Sequence, residues 1–231
     1  FGAHRVIEIP VATGKARKLI DETAETFVFV FGNSFRRDVN DLKEIIWRSE
    51  RDGWNHLYLY DGVTGKVKNQ ITKGQWVVRE VVEVDEDKRQ ITFRAAGREP
   101  GQDPYYLHTY RVNFDGTGLL RLTKGDGTHS TQVSPDKTVF IDTWSRVDLT
   151  PRHALRRVSD GKLLCELETA DAKDLYATGW RHAERFVAKD RDGKFDIHGI
   201  ICRPSNFDPK KKYPVVEVIY AGPHGSFVPK G

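Results

Sequence analysis

The 231-residue chain contains no methionine and only two cysteines, Cys165 and Cys202. Two cysteines cannot build a disulfide framework, and neither has the spacing to a second ligand that a metal site requires. We therefore predict that both are buried, small apolar side chains. No run of 18 apolar residues and no signal peptide occur, so the sequence predicts no transmembrane helix. Because the chain starts in mid-pattern at Phe1-Gly2, we expect it to be a fragment or a processed piece.

Reactive motifs are also missing. The sequence has no Gly-rich phosphate loop, no Cys/His metal spacing and no Gly-x-Ser-x-Gly nucleophile elbow. Its 37 basic and 33 acidic residues leave a net charge of +4, and the basic residues are scattered. The one tight basic cluster, at residues 210–212, has no interleaved aromatic residues, which favours a solvated linker over a nucleic-acid patch. We expect no cofactor, no bound metal and no nucleic-acid partner.

What the sequence does contain is an internal repeat. Each copy is a short strand, a Gly-containing turn and a second short strand, marked by His4, His56, His108 and His153 at spacings of 52, 52 and 45 residues. A period of about 40–50 residues is typical of the four-stranded blades of a β-propeller. The predicted fold class is all-β, with about three to four antiparallel blades. A histidine recurring at one point of a repeat is interpreted as a packing or turn residue.

Turn signals divide the repeats into individual strands. Asp52-Gly53 supplies a tight turn, and Ser134-Pro135-Asp136 supplies another, because Pro fixes φ and Asp accepts backbone N–H groups. The strands predicted around these and similar signals are residues 44–49, 54–60, 80–85, 90–94 and 139–144. Aromatic side chains are predicted to pack in the core or between blades, namely Trp47, Trp54 and Trp144. Phe27, Phe29 and Phe31 alternate as expected for one buried face of a strand.

Four motifs occur in a fixed order along the chain. They are residues 49–60, beginning Ser49-Glu50-Arg51-Asp52-Gly53; residues 97–100 with 103–105; residues 134–136 with 142–148; and residues 212–223. Together they resemble the dipeptidyl peptidase IV family of prolyl-oligopeptidase-type serine peptidases, in which a β-propeller caps an α/β-hydrolase domain. The resemblance implies a partial propeller over residues 1–185. It also implies that the first strands of the hydrolase domain occupy residues 186–231.

The resemblance also implies a function. Family members release dipeptides, and in some cases tripeptides, from peptide N-termini, with Pro or Ala at the scissile position, through a Ser-His-Asp triad. The implied partners are peptides with a free N-terminus and, in the full-length protein, a second copy of the chain; an extracytoplasmic compartment is favoured. The triad and the glutamates that bind the substrate ammonium fall outside this chain, which alone is expected to be inactive. The alternative is a non-catalytic propeller scaffold with a degenerate hydrolase domain.

One catalytic residue is carried over by the resemblance. The family's Tyr-Ala-Gly-Pro motif stands here as Tyr220-Ala221-Gly222-Pro223, and its tyrosine donates a hydrogen bond to the oxyanion of the tetrahedral intermediate. A tyrosine phenol has a reference pKa of about 10 and can donate at neutral pH. Residues 27–37 are a weaker candidate for lining a substrate pocket, with no single residue assigned. A catalytic role for His224-Gly225-Ser226 is rejected, because no acid orients the histidine.

Overall fold

The computed structural model describes residues 2–25, 27–30, 34–220 and 225–231. The chain divides into two compact units, one of Phe1–Pro100 with His108–Leu122 and the other of Gly101–Leu107 with Thr123–Gly231. Strands make up nearly all of the regular structure in both units. The only helix of the described residues, α1, has five residues and spans Lys173–Ala177. None of the described helical structure is long and apolar enough to cross a membrane.

The first unit contains a hairpin and two four-stranded antiparallel sheets. The hairpin pairs β1 with β2, the first sheet has the order β3-β4-β5-β6, and the second has the order β10-β9-β8-β7. The strands are β1 Ala3–Glu8, β2 Arg17–Thr23, β3 Arg36–Val39, β4 Glu44–Ser49, β5 His56–Asp61, β6 Val67–Gln70, β7 Val77–Asp85, β8 Gln90–Ala96, β9 His108–Asn113 and β10 Leu120–Arg121.

The second unit contains one four-stranded antiparallel sheet, of order β11-β12-β13-β14, and a separate two-stranded hairpin of β15 and β16. Helix α1 lies between them in sequence. The strands are β11 Thr128–Val133, β12 Val139–Arg146, β13 Leu149–Arg157, β14 Leu163–Thr169, β15 Glu184–Lys189 and β16 Asp196–Ile201. Every four-stranded sheet of the chain is therefore built from strands that follow one another directly in sequence.

The repeat predicted from the histidine spacing corresponds to these sheets. The marked segments are β1, β5, β9 and β13, and each pairs with the next strand across a turn that contains glycine. Gly65, between β5 and β6, has a φ of +71°, and a Cβ atom there would overlap the carbonyl oxygen of Leu19. Only glycine meets both requirements without strain. The predicted all-β fold of propeller-type blades is confirmed.

The two sheets of the first unit pack against each other through a shared apolar core. Its members come from both sheets and from residues that directly flank their strands: Val39, Ile46, Leu57, Leu59, Ile71, Trp76, Val78, Ile91, Phe93, Ala95, Tyr110, Val112 and Phe114. The ring of Trp76 lies parallel to the rings of Phe93 and Tyr110, with centroids 6.1 and 6.3 Å away. A second core joins β2 to the other face of the first sheet through Leu19, Ile20, Ile45, Trp47, Tyr58 and Tyr60. The β3–β6 sheet is thus covered on both faces, as blades within a propeller are.

His56, one of the marker histidines, is a packing residue, as predicted. His56 is fully buried, and its ring nitrogens lie 3.0 Å from the hydroxyl of Thr72 and 2.9 Å from the carbonyl oxygen of Gly74. Since the carbonyl can only accept, Nε2 carries the proton and donates to it. Burial lowers the pKa of His56, so the ring is neutral at pH 7. His56 thereby ties the start of β5 to the segment that leads into the next sheet.

Several predicted packing positions are wrong. Trp54 is 39% exposed, because it lies in the turn before β5 rather than in the strand. Cys165 and Cys202 are both exposed. Cys165 belongs to β14, the last strand of its sheet, whose residues are all exposed, and Cys202 directly follows β16. A strand at the border of a sheet has only one paired neighbour, so its side chains are less covered.

Two segments expected to be strands are irregular. Residues 27–30 lie outside every sheet; the rings of Phe27 and Phe29 lie 6.2 Å apart, and Phe31 falls outside the described residues. Residues 213–220, which resemble the first buried strand of a hydrolase domain, form no strand either, and Val215 is 91% exposed. Hydrophobic strands of this kind are stabilised by neighbouring strands and by helices on both faces. The described residues supply neither for this segment.

Candidate functional site

Tyr220, the predicted oxyanion donor, projects its phenol into solvent. The residue is 72% exposed, and its ring contacts that of Phe227, with centroids 5.8 Å apart and planes inclined by 38°. The rest of its motif, Ala221, Gly222 and Pro223, lies outside the described residues. Tyr220 is therefore largely open to solvent, and its role as an oxyanion donor stays a prediction.

Where the structure describes them, the other catalytic and binding candidates from the sequence form no reactive arrangement. His224 lies outside the described residues, and the hydroxyl of Ser226 donates to the carbonyl oxygen of Val228 at 3.0 Å. In the candidate pocket segment 27–37, the guanidinium of Arg36 pairs with Asp38 at 2.8 Å, and that of Arg37 pairs with Glu86 at 3.4 Å. Both arginines are already engaged by carboxylates of the chain.

A cavity of about 310 Å³ lies within the second unit. The loop at residues 101–107, the hairpin of β15 and β16, and the last residues of the chain form its walls. Its polar side chains are Gln102, Asp103, Tyr106, Arg185, His198 and Lys230. The sequence carries no signal for this cavity. Residues 103–105 belong to a family motif, and His198 and Lys230 stand in no recognisable spacing to them.

One wall of the cavity carries an ion pair that is largely removed from solvent. The ammonium of Lys230 donates to Oδ2 of Asp103 at 2.8 Å, and the two side chains are 11% and 9% exposed. Nδ1 of His198 lies 3.8 Å from the same carboxylate oxygen. The ammonium also lies 4.8 Å from the ring centroid of Tyr105, in cation–π geometry. The contact joins positions 127 residues apart in the chain.

A second group of charged side chains at the cavity centres on Arg185. Its guanidinium donates to the hydroxyl of Tyr106 at 2.8 Å and to Asp148 at 3.1 Å, while Arg146 donates to the same carboxylate at 2.8 Å. Burial raises the pKa of Tyr106, although the charge of Arg185 opposes that shift. Burial would also raise the pKa of Asp148, but the two arginines outweigh it and the pKa is lowered. At neutral pH the phenol is therefore protonated and the carboxylate ionised.

These groups satisfy one another rather than forming a nucleophile with its base. No cluster of three or more His, Cys, Asp or Glu side chains suited to a metal ion occurs within the described part of the chain. What the arrangement can do chemically is hold segments in place and present a phenolic donor at Tyr220. Bond cleavage also needs a nucleophile, which none of these groups supplies.

The family model and the relatives that this chain matches all belong to one group of peptidases. The family model of the dipeptidyl peptidase IV (DPP IV) N-terminal region matches residues 3–151. A probable dipeptidyl-aminopeptidase B of Tuber melanosporum is 28% identical over 188 residues, which cover 78% of this chain and 20% of that protein. A dipeptidyl peptidase 4 of Trichophyton equinum is 26% identical over 229 residues, which cover 95% of this chain and 28% of that protein.

Solved structures show the same fold. The crystal structure of Porphyromonas gingivalis dipeptidyl peptidase 4 matches 92% of this chain and 29% of its own length, with a TM-score of 0.66 at 20% sequence identity. The chain therefore spans a minor part of the length of the proteins to which it is similar.

Proposed function

Because the chain belongs to the family of dipeptidyl peptidase IV N-terminal regions, we propose that it is the propeller wall and the start of the hydrolase domain of a serine exopeptidase. Residues 1–185 form the propeller part and residues 186–231 the hydrolase part. The whole protein releases dipeptides from peptides with a free N-terminus and prefers Pro or Ala at the scissile position. The propeller restricts which peptides reach the active site.

The observation that carries this proposal is the family match over residues 3–151, which includes both four-stranded sheets of the first unit. The relatives' names supply the activity, since both curated relatives are called dipeptidyl peptidases or aminopeptidases. The likeness of fold supports the role of a propeller wall. The nucleophile and its partners belong to the part of the protein beyond this chain, so the isolated chain is inactive.

Tyr220 is the residue of this chain that acts in the reaction. Its hydroxyl donates a hydrogen bond to the oxyanion that forms when the scissile carbonyl is attacked. The exposure of the phenol and its position after an apolar segment support this role. The ring contact with Phe227 restricts the side chain, which reduces the entropy lost when the donor is aligned.

The test uses the full-length protein and a chromogenic Xaa-Pro substrate with a free N-terminus. Replacing Tyr220→Phe removes the donor and leaves the ring, so kcat is expected to fall by about 10²- to 10³-fold. The matched control is Tyr213→Phe, which removes a phenol of the same segment whose hydroxyl accepts from the backbone of Asp208 at 2.9 Å. Equal turnover by wild type and Tyr220→Phe excludes the donor role.

Specificity is tested with the same protein. Substrates with Pro or Ala at the scissile position are expected to react faster than those with bulky residues there, and mass spectrometry of the released products distinguishes dipeptides from tripeptides. A folded full-length protein that cleaves none of these peptides would support the scaffold function instead.

A further inference from the structure

Residues 225–231 form a segment that is anchored to the second unit by its last residues. Lys230, ten positions after Tyr220, binds Asp103 in the loop at residues 101–107. We propose that the Asp103–Lys230 ion pair is a latch that positions this segment and, through Phe227, the phenol of Tyr220. The inference rests on the proposed donor role of Tyr220. Asp103 and Lys230 are positioning residues in it, since neither touches the reacting atoms.

The carboxylate of Asp103 is oriented by hydrogen bonds that do not involve Lys230. Oδ1 of Asp103 accepts the backbone N–H of Tyr105 at 2.9 Å, and the carbonyl oxygen of Asp103 accepts the N–H of Tyr106 at 3.0 Å. These bonds fix the turn and leave Oδ2 directed at Lys230. An acceptor that is held in this way loses little freedom when the ammonium binds, so the pair defines a single position.

The surroundings of the ammonium also favour one geometry. It lies over the ring of Tyr105, and the ring of His198 meets the same tyrosine edge-on with centroids 5.9 Å apart. Burial of a charge pair carries a desolvation cost that is offset only when the two groups meet well. By contrast, Lys189 and Asp196 pair at 2.6 Å with side chains 62% and 49% exposed, where water tolerates many arrangements. The latch is therefore suited to fixing position.

The backbone of residues 227–230 connects the latch to Phe227, whose ring contacts that of Tyr220. Next to Lys230, Gly231 packs so closely on β11 and β12 that a Cβ atom there would lie 2.8 Å from Cγ2 of Thr128. At the start of the segment, the hydroxyl of Ser226 donates a hydrogen bond to the carbonyl oxygen of Val228. Between these points Phe227 contacts the ring of Tyr220. Releasing Lys230 removes one of the two anchors of the segment that carries Phe227, so the phenol is positioned less well.

The first experiment measures kcat and KM of the full-length protein with the Xaa-Pro substrate. Asp103→Asn and Lys230→Met are each expected to lower kcat by about 10- to 100-fold, because a displacement of about 1 Å in a catalytic group has effects of this size. KM is expected to stay within about 2-fold, since the latch makes no contact with substrate. The matched control, Lys189→Met, removes the exposed ion pair of the same unit and should leave kcat unchanged. A wild-type kcat in both latch variants overturns the proposal.

A second experiment separates positioning from general damage. In a Tyr220→Phe background the phenol is gone, so Asp103→Asn is expected to lower kcat by no more than about 2-fold further. A full additional loss in that background means that Asp103 acts through another group, which overturns the proposal. If Tyr220→Phe alone leaves kcat unchanged, the donor role fails and the catalytic part of this inference fails with it.

The latch itself is tested without reference to activity. Hydrogen exchange of residues 225–231 in the full-length protein is expected to accelerate by about 10-fold in Asp103→Asn, because local opening of the segment becomes easier. Exchange in the β3–β6 sheet serves as the internal control and should not change. Unchanged exchange of residues 225–231 overturns the latch whether or not the protein is a peptidase.

Discussion

Asp142 in β12 is a carboxylate with no exposed surface. Its two oxygens are each taken by a cation or a potential cation, Nδ1 of His129 at 2.7 Å and Nε of Arg156 at 2.7 Å. Arg156 also donates to the carbonyl oxygens of Gly161 and Lys124, each at 3.3 Å. A buried carboxylate is tolerated only with such partners. The cluster ties strands β11, β12 and β13 of one sheet together through their side chains.

Removing the carboxylate is expected to destabilise the second unit. Asp142→Ala leaves the Arg156 guanidinium buried without its ionic partner, so the free energy of unfolding should fall by about 3–5 kcal/mol. Urea denaturation followed by circular dichroism measures this loss. Asp196→Ala, at an exposed ion pair, is the control and should change the midpoint little. A near-normal midpoint for Asp142→Ala would mean that Arg156 finds water or another acceptor.

Two glycines allow the cost of backbone strain to be measured apart from the cost of steric overlap. Gly14 and Gly65 both lie in hairpin turns, with φ values of +63° and +71°, but a Cβ atom meets nothing within 4 Å at Gly14 and overlaps the carbonyl oxygen of Leu19 at Gly65. Gly14→Ala is expected to cost about 1–2 kcal/mol of unfolding free energy, the strain of the left-handed conformation. Gly65→Ala should cost clearly more, because the backbone must also shift. Thermal unfolding of both variants tests the difference, and equal losses contradict the overlap.

At the scale of elements, sheets of the first unit are joined by aromatic packing. Trp76, only 5% exposed, lies before β7 and stacks on Phe93 of β8 and Tyr110 of β9 in its own sheet. Its ring also meets that of His56 of β5, in the other sheet, edge-on with centroids 4.7 Å apart. Trp76→Ala is expected to lower the free energy of unfolding by about 3–5 kcal/mol through the lost contacts and the cavity left behind. Trp54→Ala, at a tryptophan 39% exposed, should change it by no more than about 0.5 kcal/mol. Chemical denaturation compares the two, and similar losses would contradict the assigned packing.

These two tryptophans also show what the sequence could and could not predict. Hairpins were predictable because their signals are local: Asp52-Gly53 precedes β5, and Gly65 lies between β5 and β6. The burial of a side chain was harder to predict, because it depends on whether another sheet covers that position. Strand β5 is buried on both faces, so its alternating pattern does not separate an inner from an outer side. Trp76, the centre of the aromatic stack, was not singled out by any local signal.

Residues of the candidate site were predictable only where they belong to a motif of adjacent residues in the sequence. Tyr220 was identified from its neighbours in sequence, and its role is still a prediction. The Asp103–Lys230 pair has members 127 residues apart and neither carries a motif for the other. The exposure of Cys165 is not predictable for a related reason, since nothing in its own strand reveals that β14 ends the sheet. Contacts between distant segments depend on the tertiary arrangement, which composition and periodicity do not encode.

For the whole molecule, the ionised carboxylates predict acid sensitivity. Hydrogen bonds from Arg89 and Lys68 lower the pKa of Glu44, even though its burial opposes this, and a hydrogen bond from Arg157 lowers the pKa of Asp160 to about 2. The same direction holds in both units for Asp21, Asp61, Asp115, Asp136, Asp148, Glu184 and Asp196. A carboxylate whose pKa is lower in the folded state than in the unfolded state stabilises the folded state at pH values above its unfolded-state pKa. That contribution is lost as the pH falls through its folded-state pKa.

We therefore expect the free energy of unfolding to be constant near neutral pH and to decrease from roughly pH 5 downwards as these groups take up protons. Urea midpoints measured between pH 7 and pH 2.5 test this. Glu44→Gln should be less stable than wild type at pH 7 and should show a shallower decrease in acid, because one of the contributing groups is gone. A wild-type midpoint that does not change down to pH 3 contradicts the assignment.

The consecutive order of strands within each four-stranded sheet has a consequence for synthesis on the ribosome. All backbone partners of a sheet have been translated once its fourth strand has emerged, so no sheet waits for a distant stretch of polypeptide. Strand pairings between near neighbours also have short loops to close, which favours rapid formation. Nascent chains are thus expected to acquire protease-resistant pieces in steps of one sheet, from the N-terminal end onwards.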